Sequence, residues 1–290
     1  MNRRNFLKFA IYGSIVLAGS YSVLIERNIV LVNRYKIPIP KLPAAFHGFT
    51  IAQLTDVHLG FLVSESFVTN IVNTTNQLQT DIIVCTGDYV HARNTKEEID
   101  KVWPILTQLH AKAGVYSVLG NHDHWADTNR SLYWLDRSGQ NIRHIHKTIY
   151  RGTDKIVIGG AGDYWEDELK IDSAFSNSND VEFSSVCRIL LAHNPDSIDT
   201  KFHTSISLVI SGHTHGGQVV IPFLGPPVLP VHNKKYTSGL IETPKTQLFI
   251  SRGIGWAIYP VRFNCYPEIA VLELVNPALL SAPKNLSKTI

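Results

Sequence analysis

Sulfur is scarce in this sequence, with three cysteines and one methionine in 290 residues. Cys85, Cys187 and Cys265 are too few and too scattered for a disulfide framework and read as small buried hydrophobes. There is no internal repeat and no low-complexity tract, which excludes a solenoid. Charge is also sparse, at 18% of residues. The formal excess of +3 belongs to residues 1–36, where Arg3, Arg4, Lys8, Arg27, Arg34 and Lys36 face Glu26 alone, so the remainder is slightly acidic. A nucleic-acid-binding body needs a basic stripe of its own, and none is present.

What is there begins with "MNRRNFLKFAIYGSIVLAGSYSVLIERN". Paired arginines precede an uncharged run from Phe9 to Ile25, just short of the ~20 residues that span a bilayer as a helix. A basic segment followed by an apolar one is the order of an export signal. "RRNFLK" resembles the twin-arginine signal, whose pathway carries folded proteins; a plain basic anchor is the alternative. Ala18-Gly19-Ser20 is a passable cleavage site. Residues 1–36 are therefore read as signal or anchor plus connector, 37–275 as one catalytic domain and 276–290 as a tail.

Within the body, "FTIAQL" (49–54), "DIIVCT" (81–86) and "GVYSVL" (114–119) read as buried strands. Between them, 64–78 and a segment opened by Thr95 and Glu98 carry apolar residues at helical spacing, and a third helix runs through Leu132, Trp134 and Leu135 to Gly139. Beyond Ile156, "KIVIGGAG", "VCRILLAH", "SLVISG", "TQLFISRG" and "PEIAVLEL" follow with fewer helices between them, which predicts a second, strand-rich sheet. The expected fold is α/β (α+β): a four-layer α/β/β/α sandwich of two mixed sheets in a single catalytic domain.

Five of these strands end in polar residues beyond the needs of a turn. They are Asp56-Val57-His58, Gly87-Asp88, Gly120-Asn121-His122-Asp123, His193-Asn194 and Gly212-His213-Thr214-His215. Ligands in α/β sheets gather beyond the carboxyl ends of strands. Mixed imidazole and carboxylate suit Mn²⁺, Fe or Zn²⁺ better than Mg²⁺ or Ca²⁺. Seven donors exceed one tetrahedral ion but serve two divalent ions sharing a carboxylate. Helix caps and Asx-turns explain single positions, not the set. His144 and His146 lack a neighbouring carboxylate or glycine turn and are read as one exposed face of a strand.

In this order and spacing, "DVH", "GD", "GNHD", "H" and "GHTH" resemble the five motifs of the calcineurin-like metallophosphoesterases over about residues 45–275. Within them, "LAHNPD", "GHTHGGQ" and "SRGIG…VRFNCYPEIAVLEL" are similar to bacterial exported or membrane-attached members of the YaeI/YkuE type; a related branch hydrolyses UDP-2,3-diacylglucosamine in lipid A synthesis. The resemblance implies that Asp56, His58 and His215 hold one metal, that Asn121, His193 and His213 hold the other, and that Asp88 bridges them. It implies that the turn after Gly212 leaves regular strand geometry, and that Gly216 and Gly217 admit a close approach of chain or substrate. His122 is then the acid for the leaving oxygen and Asp123 the group that orients it.

The expected activity is hydrolysis of a phosphodiester or pyrophosphate bond, and the N-terminal segment points to a lipid or envelope-associated substrate. The alternatives are UDP-2,3-diacylglucosamine pyrophosphatase and, in another class, a non-catalytic metal-stabilised envelope-binding protein. The expected location is the bacterial inner membrane, either attached or exported to periplasm or wall, or else anchored with the body on the cytoplasmic face. His91, His124-Trp125 and Asp163-Tyr164-Trp165 are candidates to touch substrate, against loop packing. The apolar, proline-rich 221–236 either covers the site or packs on a sheet edge.

Overall fold

The computed structural model describes residues 2–176 and 186–280. The chain opens with helix α1 (Arg3–Leu24), then strand β1 (Leu31–Pro38). It alternates through β2 (Phe49–Leu54), α2 (Glu65–Gln77), β3 (Ile82–Cys85), α3 (Glu97–Leu106), β4 (Val115–Ser117) and α4 (Asn121–Arg137). A strand-rich half follows: β5 (His146–Arg151), β6 (Asp154–Gly160), α5 (Ile171–Ser176), β7 (Cys187–Leu191), β8 (Leu208–Ser211), β9 (Gly239–Glu242), β10 (Gln247–Ile250), β11 (Glu268–Val275) and a final turn α6 (Pro277–Leu280).

Two mixed sheets result, ordered β1-β11-β2-β3-β4 and β5-β6-β7-β8-β10-β9. β2, β3 and β4 are parallel to one another, as are β6, β7, β8 and β10. Their carboxyl ends therefore come together in space. β3 is buried on both faces: Ile82 and Val84 point between the sheets, while Ile83 and Cys85 point to the helices. That is why such strands read as unbroken apolar runs.

The layer between the sheets joins Ile51, Val84, Ile158, Leu191, Ile210 and Phe249. Each fully buried aliphatic side chain contributes about 1.5–3 kcal/mol. The outer face of the first sheet is covered by α2, α3 and α4 through Val72, Val102 and Leu135. The corresponding face of the second sheet is covered more thinly, by α5 and by loop residues Leu229, Val231 and Tyr236.

Three expectations change here. "PEIAVLEL" does not join the second sheet: β11 inserts between β1 and β2, parallel to the first and antiparallel to the second. The boundary after residue 36 falls inside β1, whose residues 31–38 pair one for one with 268–275. Removing residues 1–36 would strip most of an edge strand and expose β11. Of the tail, 281–290 lies outside the described residues. His146 does lie in β5, but His144, at φ 61°, lies outside it, with its Nε2 against the Glu168 carbonyl.

Candidate metal centre

Turns at the strand ends bring six of the seven sequence-predicted donors together, and the seventh, Asn121, lines the same cavity. Asp56, His58, Asp88, His213 and His215 all have positive φ, between 51° and 67°. Non-glycine residues rarely sit there, and each does so at a cost of about 1–3 kcal/mol. Left-handed residues reverse the chain within one or two positions, which aims neighbouring side chains at one point. Thr214, between the two histidines, stays right-handed at φ −78°. The expected departure from strand geometry after Gly212 is thus present.

The turns are tied to one another. Asp56 N–H donates to the Gly87 carbonyl and His58 N–H to the Asp88 carbonyl. The Asp56 carboxylate accepts the His213 amide at 3.0 Å, joining a turn of the first sheet to one of the second. Gly216 and Gly217 admit chain: a Cβ on the former would meet Cys265 Sγ at 2.8 Å, and on the latter Pro226 Cβ at 2.3 Å.

Donor atoms converge as three overlapping sets, Asp56-His58-His215, His58-Asp88-His122 and Asp88-His193-His213, each within 4.8 Å. His215 Nε2 lies 3.2 Å from Asp56 Oδ1 and 3.1 Å from His58 Nε2. Asp88 belongs to the second and third sets, with Oδ2 3.6 Å from His58 Nε2 and 3.2 Å from His193 Nε2. Outer hydrogen bonds fix two ring states. His193 Nδ1–H donates to the Thr86 carbonyl at 2.7 Å, and His213 Nε2–H donates to the Pro230 carbonyl at 2.9 Å. That leaves His193 Nε2 and His213 Nδ1 facing each other 3.1 Å apart. Backbone acceptors on the outer nitrogen are the usual support of metal-ligating imidazoles.

Electrostatics agree with a cation site. Burial holds His58 and His215 well below the ordinary imidazole range, so both are neutral at pH 7, the form that ligates metal. Burial pushes the Asp56 carboxyl up to about 6. Burial works against charge on His193, yet the Asp88 carboxylate holds its proton up to about 10. A divalent ion offers Asp88 twice the charge of that proton and competes for the same lone pair. Asn121 Oδ1 is buried with no hydrogen-bond partner among the described residues, and a hard cation would satisfy it. The donor set therefore fits metal.

His122 and Asp123 take different parts. His122 Nδ1–H donates to the His91 carbonyl at 2.9 Å, and its backbone N–H donates to Asp88 Oδ1 at 2.8 Å. Its ring stands edge-on to His58 at 4.5 Å. The Asp123 carboxylate is occupied elsewhere: it accepts the amides of Asp88, Tyr89 and Gly120 at 2.8–2.9 Å. Asp123 thus binds the turns after β3 and β4 together and does not orient the His122 ring, whose acceptor is the His91 carbonyl.

A cavity of about 630 Å³ opens over the centre, lined among others by His91, Arg93, His122, Trp125 and Trp165. Trp125 and Trp165 stack at 6.2 Å, Arg93 lies over Trp125 at 3.8 Å, and Trp165 meets His213 edge-on at 4.5 Å. Asp163 sets that loop by accepting the Trp165 and Glu166 amides. His124 is buried and does not line the cavity. From 221–236, Pro230 reaches the cavity and Leu229 packs on the second sheet.

Sequence reasoning missed Arg93 and Arg262. The latter is fully buried, and its guanidinium donates to the carbonyls of His215, Gly253, Gly255 and Cys265. No local signal separates a buried arginine from a surface one.

A family model described as calcineurin-like phosphoesterase matches residues 49–217. The chain is 32% identical to the uncharacterized metallophosphoesterase YkuE of Bacillus subtilis (strain 168), over 94% of this chain and 98% of that one. It is 30% identical to phosphodiesterase YaeI of Escherichia coli (strain K12), over 78% and 82%. It is 25% identical to UDP-2,3-diacylglucosamine pyrophosphatase LpxG of Chlamydia muridarum (strain MoPn / Nigg), over 91% and 95%.

Proposed function

The chain belongs to the calcineurin-like phosphoesterase family and is a hydrolase, and from this premise we propose that it cleaves a phosphodiester or pyrophosphate bond at a dinuclear centre. The observation that carries the proposal is the convergence of two donor sets on the shared Asp88 carboxylate. Asp56, His58 and His215 hold one ion, and Asn121, His193 and His213 hold the other. The nitrogen-rich set favours Mn²⁺, Fe or Zn²⁺. Two such ions supply a nucleophile at neutral pH and neutralise charge on phosphoryl oxygens.

The chain's own groups do the rest. As the general acid, His122 gives a proton from Nε2 to the leaving oxygen, while the His91 carbonyl holds Nδ1–H and fixes the ring. Asp88 Oδ1, by holding the His122 amide, fixes the acid relative to the metal donors. Trp125, Trp165 and Arg93 form a wall suited to a planar or sugar group on one side of the phosphorus. That wall favours a nucleotide-linked glycolipid as the second, narrower reading.

Helix α1 supports a membrane-attached enzyme acting on lipid or envelope-associated substrates, since its 22 residues reach about 33 Å. Arg3, Arg4 and Lys8 at its start favour a body outside the cytoplasm.

The test uses the full chain in detergent, loaded with manganese, on bis-p-nitrophenyl phosphate and p-nitrophenyl phosphate. Diester turnover in the wild type, with loss of both metals and at least about 10³-fold of activity in Asp88→Asn, is the expected result, since shared-metal stabilisation is worth several kcal/mol. Equal inertness of wild type and variant with two metals bound to the wild type would reject catalysis and favour a metal-stabilised binding protein.

A further inference from the structure

Beside the mouth of the centre, Phe223, Leu224, Val228, Ile258 and Tyr259 each expose more than two-thirds of their surface. Val228, Ile258 and Tyr259, with Val219, Pro227 and Val261, line a second, apolar cavity of about 290 Å³ that reaches His215. Leu224 lines the neighbouring cavity, which shares Pro227 and Val228 with it. A cluster of exposed large apolar side chains marks an interaction surface, whereas single ones need no explanation.

The tip is built to stay exposed. Ile221 and Gly225 exchange backbone hydrogen bonds, closing a tight hairpin around Phe223 and Leu224. Phe223 sits at φ 67°, a left-handed conformation that costs an aromatic residue about 1–2 kcal/mol, and nothing buries its ring in return.

The hairpin is tied to the end of α1. Val220 N–H donates to the Phe263 carbonyl at 2.9 Å. The adjoining residues hold the helix: Arg262 N–H donates to the Ser22 carbonyl, Cys265 N–H to Glu26 Oε1 at 2.7 Å, and the Tyr21 and Tyr266 hydroxyls pair at 2.7 Å. Ile258 and Tyr259 lie only four and three residues before Arg262. The apolar rim is thus anchored, within a few residues, to the point where α1 leaves the body.

We propose that this rim is a second membrane contact, lying in the interface of the same bilayer that α1 enters and holding the mouth of the centre at the lipid surface. The occupant is the bilayer because the rim continues from a helix long and apolar enough to cross one. The inference rests on α1 acting as an anchor, and not on the reaction catalysed.

The three native cysteines are buried, so a thiol probe will report an introduced one. Full-length Phe223→Cys and, as reference, Tyr150→Cys are labelled with an environment-sensitive nitrobenzoxadiazole dye and reconstituted into phosphatidylcholine/phosphatidylglycerol vesicles. Tyr150 is exposed on β5, opposite the start of β6 and so away from the site. Expected are a blue shift and loss of emission at 223 with spin-labelled phosphatidylcholine, with shielding from iodide, while the probe at 150 stays open to iodide. Vesicles that float with protein but leave 223 as accessible to iodide as 150 overturn the rim contact alone. Protection at 223 that needs added membrane protein overturns it in favour of a protein partner. Failure to float removes the anchor reading and the rim contact with it. Bis-p-nitrophenyl phosphate turnover is unchanged in Phe223→Ser/Leu224→Ser, which separates a failed contact from a failed hydrolase.

Discussion

The two sheets build their halves of the centre around groups of opposite kind. In the first, the turns after β3 and β4 are gathered by a carboxyl group: Asp123 accepts three backbone amides, which favour its ionised form against the burial and the Asp88 charge that push its pKa up to about 7. In the second, the turns after β8 and β10 are gathered by a cation: Arg262 donates to carbonyls of His215, Gly253 and Gly255. The first half presents Asp56, His58, Asp88 and Asn121, and the second presents imidazoles only. Turns that show amide donors inward need an acceptor, and turns that show carbonyls need a donor. Buried ionisable groups serve because each collects several strong hydrogen bonds at once.

The largest effect separates the acid from its sequence neighbour. His122→Ala should retain metal and lose about 10²–10⁴-fold in kcat, the usual worth of a general acid. Asp123→Asn should lower metal content and thermal stability, because an amide turns a donor toward at least one of three amides. If metal content is normal in Asp123→Asn and kcat falls as in His122→Ala, Asp123 belongs to proton transfer and the comparison fails.

The seam between the halves comes next. Glu268, at the start of β11, is buried and accepts from Arg252, Asn33 and Tyr35. Burial raises its pKa, but Arg252 outweighs that, and the net value lies below the ordinary 4.5. A depressed carboxyl stabilises the fold above its unfolded value, and that stability is lost as pH falls below about 4.5 through the folded value. Glu268→Gln should therefore cost about 1.5–3 kcal/mol at pH 7, and the gap from wild type should narrow in urea melts on acidification. A gap that is constant from pH 7 to pH 3 would mean packing, not charge, is what Glu268 supplies.

Much of this was legible in the chain because buried parallel strands read as apolar runs and the donors follow them directly. The exceptions have physical causes. β1 is a half-exposed edge strand with polar residues facing out, so no apolar run marks its start. β11 has the composition of any buried strand, and only long-range pairing places it in the first sheet. Asp123 adjoins His122 in sequence, but successive residues of a helix turn by about 100°, so the two side chains serve different neighbours. Arg262 looks like a surface residue until the carbonyls that need it are in place.

Arg262 is also where the second half can be broken with the smallest change. Lysine keeps the charge but offers one nitrogen where the guanidinium spreads its donors over four carbonyls. Arg262→Lys should leave the turns after β8 and β10 unevenly held, loosening His215 and, through Ser22, the end of α1. The expected loss is about 10–100-fold in metal affinity, as for other groups that position ligands, with kcat near wild type at saturating manganese. A metal titration read by activity and by bound manganese distinguishes the cases. If kcat stays low at saturation, the arginine acts on the reacting groups themselves, and the symmetry between a positioning carboxyl group and a positioning cation is lost.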